Sequence, residues 1–270
     1  MRLSQLLLFI SLFQFLNIQA QVVGGSDAKL AKLYNSGKYE TCLFKADNLT
    51  YKEDTRRDPE PYLYMAMCFY ELSKSNDPVL KEDYKTGVKQ SLKYTAKFIK
   101  KDKDGEMFDD NIDFVNMMRD LQLTVVKDYF NSGVYKKAAS SSKVYGKLFR
   151  EKKYEILYFT GLTEVLSRNL SQGLRDMNIA KTEMETNIKA GNLKVETAFK
   201  PLLTSAILKY SEYLVADNQL KEASENIAFA KKVFPNDASV SSQYSIVVKR
   251  LKIVNDSLKT VNDSLKTKEK

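Results

Sequence analysis

The chain has 270 residues, 43% apolar and 29% charged, which argues against intrinsic disorder and allows a sizeable core. It has no histidine and only two cysteines, which excludes His-based catalytic triads, His-containing metal sites and a Cys-only zinc site. The formal charge of +9 would suit an acidic partner, but the lysines are spread along the chain, which favours solvated helix faces over a nucleic-acid site.

Residues 1–20 have the pattern of a secretory signal peptide. Arg2 precedes an apolar run at 6–16, which is shorter than the about 20 residues needed to span a bilayer. We expect cleavage after Ala20 and a mature chain without a transmembrane span; the alternative is an uncleaved anchor. The Ala20–Gln21 junction and the composition resemble exported proteins of Bacteroidetes, which implies a periplasmic or outer-membrane-associated location.

Paired amphipathic helices with a recurring turn begin near residue 27. The turns YNSGKY at 34–39 and FNSGVY at 130–135 are nearly identical, and each is followed by apolar or small residues at the same spacings. The stretch at 206–237 has the same plan, with a turn at Asp217–Asn218 and a closing Pro235. Each pair has an apolar stripe that it cannot bury alone, so we expect the pairs to stack.

Small residues recur where the paired helices should cross. They are Cys42, Ala66, Ala138, Gly161, Ala180, Ala223 and Ala230. In this respect the units resemble tetratricopeptide repeats. The resemblance implies an all-α solenoid of helical hairpins that binds a peptide or a partner segment in a concave groove lined by the first helices.

We predict five helical pairs, at 27–52, 59–101, 120–149, 154–188 and 199–235, within a solenoid domain at 21–237. Residues 106–118 are expected to extend the first helix of the third pair. The second and fourth pairs are degenerate, so a non-repeating helical bundle is the alternative.

Residues 238–270 carry a heptad pattern of apolar residues. It comprises Val240, Tyr244, Val247, Leu251, Val254, Leu258, Val261 and Leu265. We expect the first part of this helix to cap the fifth pair. The last two heptads, with the duplicated VNDSLKT at 254 and 261, either self-associate with another copy (within 240–265) or form a frayed tail.

Few side chains stand out as functional candidates. Cys42 and Cys68 are a candidate disulfide in an exported protein, the alternative being two free core thiols. The stretch KDKDG at 101–105 resembles a calcium loop but lacks the first carboxylate and the bidentate Glu, so we predict no metal site. Ser257 and Ser264 lie in Asp-Ser-Leu triplets that resemble a Bacteroidetes O-glycosylation signal.

The predicted function is that of a non-catalytic scaffold for protein–protein interaction in the bacterial envelope, as part of a secretion or outer-membrane assembly. No motif for phosphate binding or nucleophilic catalysis is found, and we expect neither enzyme activity nor a cofactor. The candidate groove residues are Tyr62, Asn116, Lys127 and Tyr158. The alternative is a glycan- or small-ligand-binding module of an outer-membrane uptake system, which predicts a compact aromatic pocket.

Overall fold

The computed structural model describes Val22 and residues 24–268, with side chains through residue 257. Over these residues the chain is all-α, as predicted, with thirteen helices and no strand. The predicted signal peptide lies outside the described residues. Two compact units are present, and the boundary between Met118 and Arg119 falls within α7.

The helices follow one another through short connections. Those before the boundary are α1 (Ala28–Asn35), α2 (Tyr39–Tyr51), α3 (Glu60–Ser73), α4 (Pro78–Asp83), α5 (Gly87–Lys101) and α6 (Glu106–Asp110). Helix α7 (Ile112–Asn131) contains the boundary. Those after it are α8 (Tyr135–Gly146), α9 (Tyr154–Leu166), α10 (Leu170–Lys189), α11 (Lys200–Ala216), α12 (Leu220–Val233) and α13 (Ala238–Lys268).

Each of the five intervals predicted as helical pairs contains two main helices, and the second interval also holds the short helix α4 between its two. The pairs are α1–α2, α3–α5, α7–α8, α9–α10 and α11–α12. Contacts join α1 to α2, α3 to α5, α9 to α10 and α11 to α12, and further contacts join α2 to α3, α8 to α9 and α9 to α11. A stack of helical hairpins therefore builds the core of each unit.

Four of the hairpin turns share one backbone geometry. Gly37, Gly133, Arg168 and Asn218 each have a positive φ, between 59° and 72°. The N–H of the next residue then donates to the carbonyl five residues before it, as from Lys38 to Leu33 at 3.0 Å. This is the Schellman arrangement, which satisfies the last carbonyls of the first helix before the second begins.

Small residues permit close helix crossings, as the repeat pattern predicts. Ala66, Ala138 and Ala223 are fully buried. At the α9–α10 crossing, a Cβ added to Gly173 would lie 2.5 Å from the carbonyl oxygen of Gly161. Since that neighbour is backbone, this crossing requires glycine.

The repeat plan is interrupted at two places. Residues 74–86, between α3 and α5, contain the additional helix α4, whose first turn is capped by the Asp77 side chain. The expected extension of α7 by residues 106–118 is confirmed only in part: residues 112–118 form the start of α7, whereas residues 106–110 form the separate helix α6, with a turn at Asn111 between them. The Asp102 carboxylate instead accepts a hydrogen bond from the Phe108 N–H at 2.7 Å and fixes α6 as a separate turn.

The carboxy-terminal helix α13 packs on α11 and α12 through its first part. Val240 and Val247 are fully buried, and Leu251 is half-buried. Val254, the next residue of the heptad, is 39% exposed. The helix therefore caps the last hairpin over its first three turns and continues beyond it.

Candidate functional site

The four predicted groove residues have different environments. In the first unit, Tyr62 is buried and its hydroxyl donates to the Arg56 carbonyl at 3.0 Å, whereas Asn116 is exposed on α7. In the second unit, Lys127 is exposed on α7 and Tyr158 is only 1% exposed. The two tyrosines are therefore core residues and do not line an open groove.

Tyr158 belongs to a buried polar network. Its hydroxyl donates to Asn226 Oδ1 at 2.7 Å, and Asn226 Nδ2 donates to the Ile207 carbonyl and to Ser211 Oγ, both at 2.9 Å. Burial raises the pKa of Tyr158 well above its ordinary value, so the phenol stays neutral. Sequence reasoning missed this network, although Ser211 on the apolar stripe of α11 was a signal for it.

An open cleft in the first unit lies where the chain departs from the repeat plan. It has a volume of about 370 Å³ and is formed by the first hairpin turn, the start of α2, the end of α3 and one residue of α4. Its lining comprises Gly37, Lys38, Tyr39, Glu40, Thr41, Glu71, Leu72, Lys74, Ser75 and Leu80. Because α4 is an insertion, the repeat pattern alone could not predict this cleft.

The chemistry of the cleft is mixed in charge. Lys74 Nζ lies 2.6 Å from Glu71 Oε2 and 4.5 Å from the centre of the Tyr70 ring. On the other wall, the Tyr84 hydroxyl donates to Glu40 Oε1 at 3.2 Å. Cations, carboxylates and apolar side chains in one cleft suit non-covalent binding of a polypeptide segment.

The N-terminus of α2 adds backbone donors to the same cleft. Its N-cap is Lys38, which makes no side-chain capping hydrogen bond. Burial and, to a smaller extent, the charge of Glu71 raise the pKa of Tyr39, which keeps this phenol a neutral hydrogen-bonding group. The cleft can thus offer N–H and O–H donors to carbonyl or carboxylate oxygens of a ligand.

Two buried carboxylates in the first unit serve the fold. Glu60 accepts hydrogen bonds from the backbone N–H groups of Ser26 at 2.8 Å and Asp27 at 3.0 Å, so it anchors the segment before α1. Asp102, in the stretch that resembles a calcium loop, accepts a hydrogen bond from the Phe108 N–H. The described residues contain no cluster of three or more potential metal ligands.

In the second unit, Glu164 is the buried carboxylate. It pairs with Lys143 and accepts a hydrogen bond from Asn169 Nδ2 at 2.7 Å. Burial alone would raise the pKa of Glu164, but the hydrogen bonds from Lys143 and Asn169 outweigh it, and the pKa is lowered. This carboxylate therefore remains charged and ties α9 to α8.

Cys42 on α2 and Cys68 on α3 are buried free thiols that contact each other. Cys42 Sγ donates to the Leu30 carbonyl at 3.6 Å. The hydrogen bond between the two thiols, together with burial, raises the pKa of Cys68. The structure thus brings together the pair that the sequence identified as a candidate disulfide.

The two candidate glycosylation serines lie in the last part of α13. Ser257 is exposed, and its hydroxyl donates to the Ile253 carbonyl at 2.9 Å. Ser264 lies in the helical backbone, but its side chain is outside the described part of the structure.

In the described part of the chain, no helix combines the length and apolar character that crossing a bilayer requires. No family, curated protein or solved structure matches the chain significantly. The likeness to tetratricopeptide repeats therefore rests on the residues, turns and crossings of this chain itself.

Proposed function

We propose that the protein is a non-catalytic scaffold that binds a segment of a partner protein. The observation that carries the proposal is the cleft at 37–41 and 71–80, formed where an inserted helix interrupts a stack of hairpins. In hairpin-repeat architectures, insertions commonly fall on the binding face. The mixed lining of this cleft suits a polar peptide with one or two apolar side chains.

The use of the buried ionisable groups supports a non-catalytic role. Glu60, Asp102 and Glu164 are the buried carboxylates among the described residues, and each is held by hydrogen bonds that join chain segments. Glu164 has a lowered pKa, the opposite of a carboxyl group tuned to donate a proton. These groups stabilise the fold.

The site of action that fits this role is the bacterial envelope, within a secretion or outer-membrane assembly. The support is the signal-like pattern of residues 1–20 and the resemblance to exported Bacteroidetes proteins. The partner would then be an envelope protein.

A second mode of association fits α13, namely pairing with another copy of the chain. Ile253 is 56% exposed and Val254 39%, and the helix continues to Lys268 with Leu258, Val261 and Leu265 in heptad register. Two copies would meet along this row of apolar residues, the heptad seam. The residues that flank the seam are Asn and Ser in the duplicated VNDSLKT, so the two helices would not repel each other through like charges.

The rival function, glycan binding, is less well supported. It requires a compact pocket with several aromatic faces, whereas Tyr39 is the one aromatic residue in the lining of the cleft described above. Four of the ten lining residues of that cleft are charged, namely Lys38, Glu40, Glu71 and Lys74.

Crosslinking and purification of the full chain from the cells that produce it would test the proposal. We expect one discrete protein to copurify with the wild type and with Thr182→Arg, an exposed control on α10, but not with Thr41→Arg in the cleft. A glycan array should be negative with the same protein. Binding to glycans without capture of any protein would overturn the proposal.

A further inference from the structure

A row of four lysines runs along one face of α5. Lys89, Lys93, Lys97 and Lys101 are spaced four residues apart, so they lie one above another at intervals of about 6 Å. The first three are exposed and the last is half-buried. We call these four residues the lysine ridge.

Tyrosine rings contact three of the four ridge lysines. Lys93 and Lys97 lie 5.2 Å and 4.8 Å from the centre of the Tyr94 ring, and Lys101 lies 5.4 Å from that of Tyr62. Such cation–π contacts orient ammonium groups that would otherwise move freely in solvent. Because the side chains are already ordered, a ligand that binds the lysines causes a smaller loss of side-chain conformational entropy.

The charge of the ridge is not neutralised by ion pairs. Within the described part of the chain, no carboxylate forms a salt bridge with any ridge lysine. Partial burial and the charges of Lys93 and Lys101 lower the pKa of Lys97, and Asp47 is the nearby carboxylate that opposes this shift. Like charges four residues apart destabilise a helix, and the tyrosine contacts and the hydrogen bond from Lys101 Nζ to the Arg56 carbonyl at 2.8 Å offset part of that cost.

From this geometry we propose that the ridge binds an extended acidic peptide segment of the partner protein, an inference that rests on the scaffold function proposed above. In an extended chain, alternate side chains on one face are about 6.7 Å apart. Asp or Glu at every second position would therefore meet successive ridge lysines about 6 Å apart. Tyr51, which is 77% exposed and close enough to Tyr94 to affect its pKa, offers an apolar contact beside the row.

The ring geometry favours a peptide over a single-stranded nucleic acid. Nucleic-acid sites of that kind rely on open aromatic faces on which bases stack. Here one face of Tyr94 stacks on Phe69, with ring centres 5.5 Å apart, and lysines lie over the ring as well. Tyr62 is buried.

The test is fluorescence anisotropy with the full mature chain and labelled twelve-residue probes. One probe alternates Glu and Ser, a second has the same composition with the Glu residues in one block, and a third is a single-stranded oligonucleotide. We expect the alternating peptide to bind most tightly. The double variant Lys93→Glu/Lys97→Glu should lower the affinity for this peptide by about tenfold or more. The control Lys136→Glu/Lys189→Glu, with equal charge change at exposed positions, should leave binding unchanged.

The outcomes separate this inference from the proposed function. Equal binding of the alternating peptide to both double variants would overturn the ridge assignment, as would tighter, ridge-dependent binding of the oligonucleotide. Lys93→Gln/Lys97→Gln removes the positive charge without reversing it. This variant should lower the affinity for the alternating peptide less than Lys93→Glu/Lys97→Glu does. If the cell-derived partner still copurifies with Lys93→Glu/Lys97→Glu but not with Thr41→Arg, the scaffold function stands and the ridge inference is wrong.

Discussion

Two glycines determine how closely α9 and α10 cross. A Cβ on Gly173 would lie 2.5 Å from the Gly161 carbonyl oxygen and 2.7 Å from the backbone nitrogen of Val165. Backbone atoms cannot move aside as a flexible side chain does, so the helices would have to separate. This contact is a property of single residues and can be tested as such.

We predict that Gly173→Ala lowers the free energy of unfolding by about 3 kcal/mol through overpacking. Gly133→Ala is the matched control, because nothing lies within 4 Å of its added Cβ and the cost comes only from the positive φ of 71°. That cost should be about 1 kcal/mol. Since the chain has no tryptophan, urea unfolding is best followed by circular dichroism. Equal losses for the two variants would contradict the crossing argument.

A second residue-scale prediction concerns pH and Glu164. Because the folded-state pKa lies below the unfolded value of about 4.3, the carboxylate stabilises the fold fully above that value. This contribution is lost as the pH falls through the folded-state pKa. Glu164→Gln should therefore cost about 1 kcal/mol at pH 7, and the difference from the wild type should shrink below pH of about 4. A difference that grows on acidification would refute the assigned direction.

The sequence predicted the small residues of the core better than the functional side chains. Ala66, Ala138 and Ala223 were identifiable because a crossing position admits few residue types. Tyr158 was placed in the groove as an aromatic residue on a first helix beside the core stripe, yet its hydroxyl is satisfied inside the core by Asn226, a residue 68 positions away. Partners so distant in sequence cannot be identified from local pattern.

Among elements, α2 and α3 are joined by the contact between Cys42 and Cys68. If the protein is exported, we expect these thiols to be oxidised to a disulfide, which would stabilise the fold by about 3.5 kcal/mol for a loop of this length. Alkylation under denaturing conditions followed by intact mass measurement is the check. Modification should require reductant; two alkyl groups without reductant would show that the thiols stay free.

We expect the two parts of α13 to have different roles: the first part stabilises the fold, and the last part mediates self-association. Deletion of residues 257–270 should leave the melting temperature nearly unchanged but abolish self-association in sedimentation experiments, because the buried contacts of Val240 and Val247 remain. Val247→Asp, in contrast, should unfold the cap by burying an unpaired charge. A full-length chain that sediments as a monomer would refute the pairing of α13.

Glycosylation of α13 would compete with that pairing. Ser257 is exposed and lies next to Leu258 in the heptad seam, so a glycan on its hydroxyl would obstruct close approach of a second helix. Intact mass of the protein from its own host should therefore be measured before the sedimentation result is interpreted.

At the element scale, the repeated turns and the terminal heptad were visible in the sequence, whereas α4 was not recognised. The signal for α4 was present, because Asp77–Pro78 places a capping carboxylate directly before proline at the first helical position. Its apolar face is too short to show a helical period, which is why periodicity did not reveal it.

At the scale of the molecule, the paired helical pattern and the repeat resemblance predicted the all-α class, but the sequence did not show how charge is distributed. The lysines looked dispersed along the chain, and the row on α5 emerges only when residues four apart are stacked on one helix face. Likewise, the cleft depends on an insertion that brings α4 near the first turn. Both candidate surfaces, the lysine ridge and the cleft, are formed by residues that are apart in the sequence and that the fold brings side by side.

The most direct test of the scaffold function is site-specific photo-crosslinking in the cells that produce the protein. A photoreactive amino acid would replace Thr41, in the cleft, or Thr182, exposed on α10. The scaffold function predicts a covalent adduct with one protein of discrete mass from position 41 and none from position 182. Equal protein adducts at both positions, or adducts with saccharide alone, would contradict it.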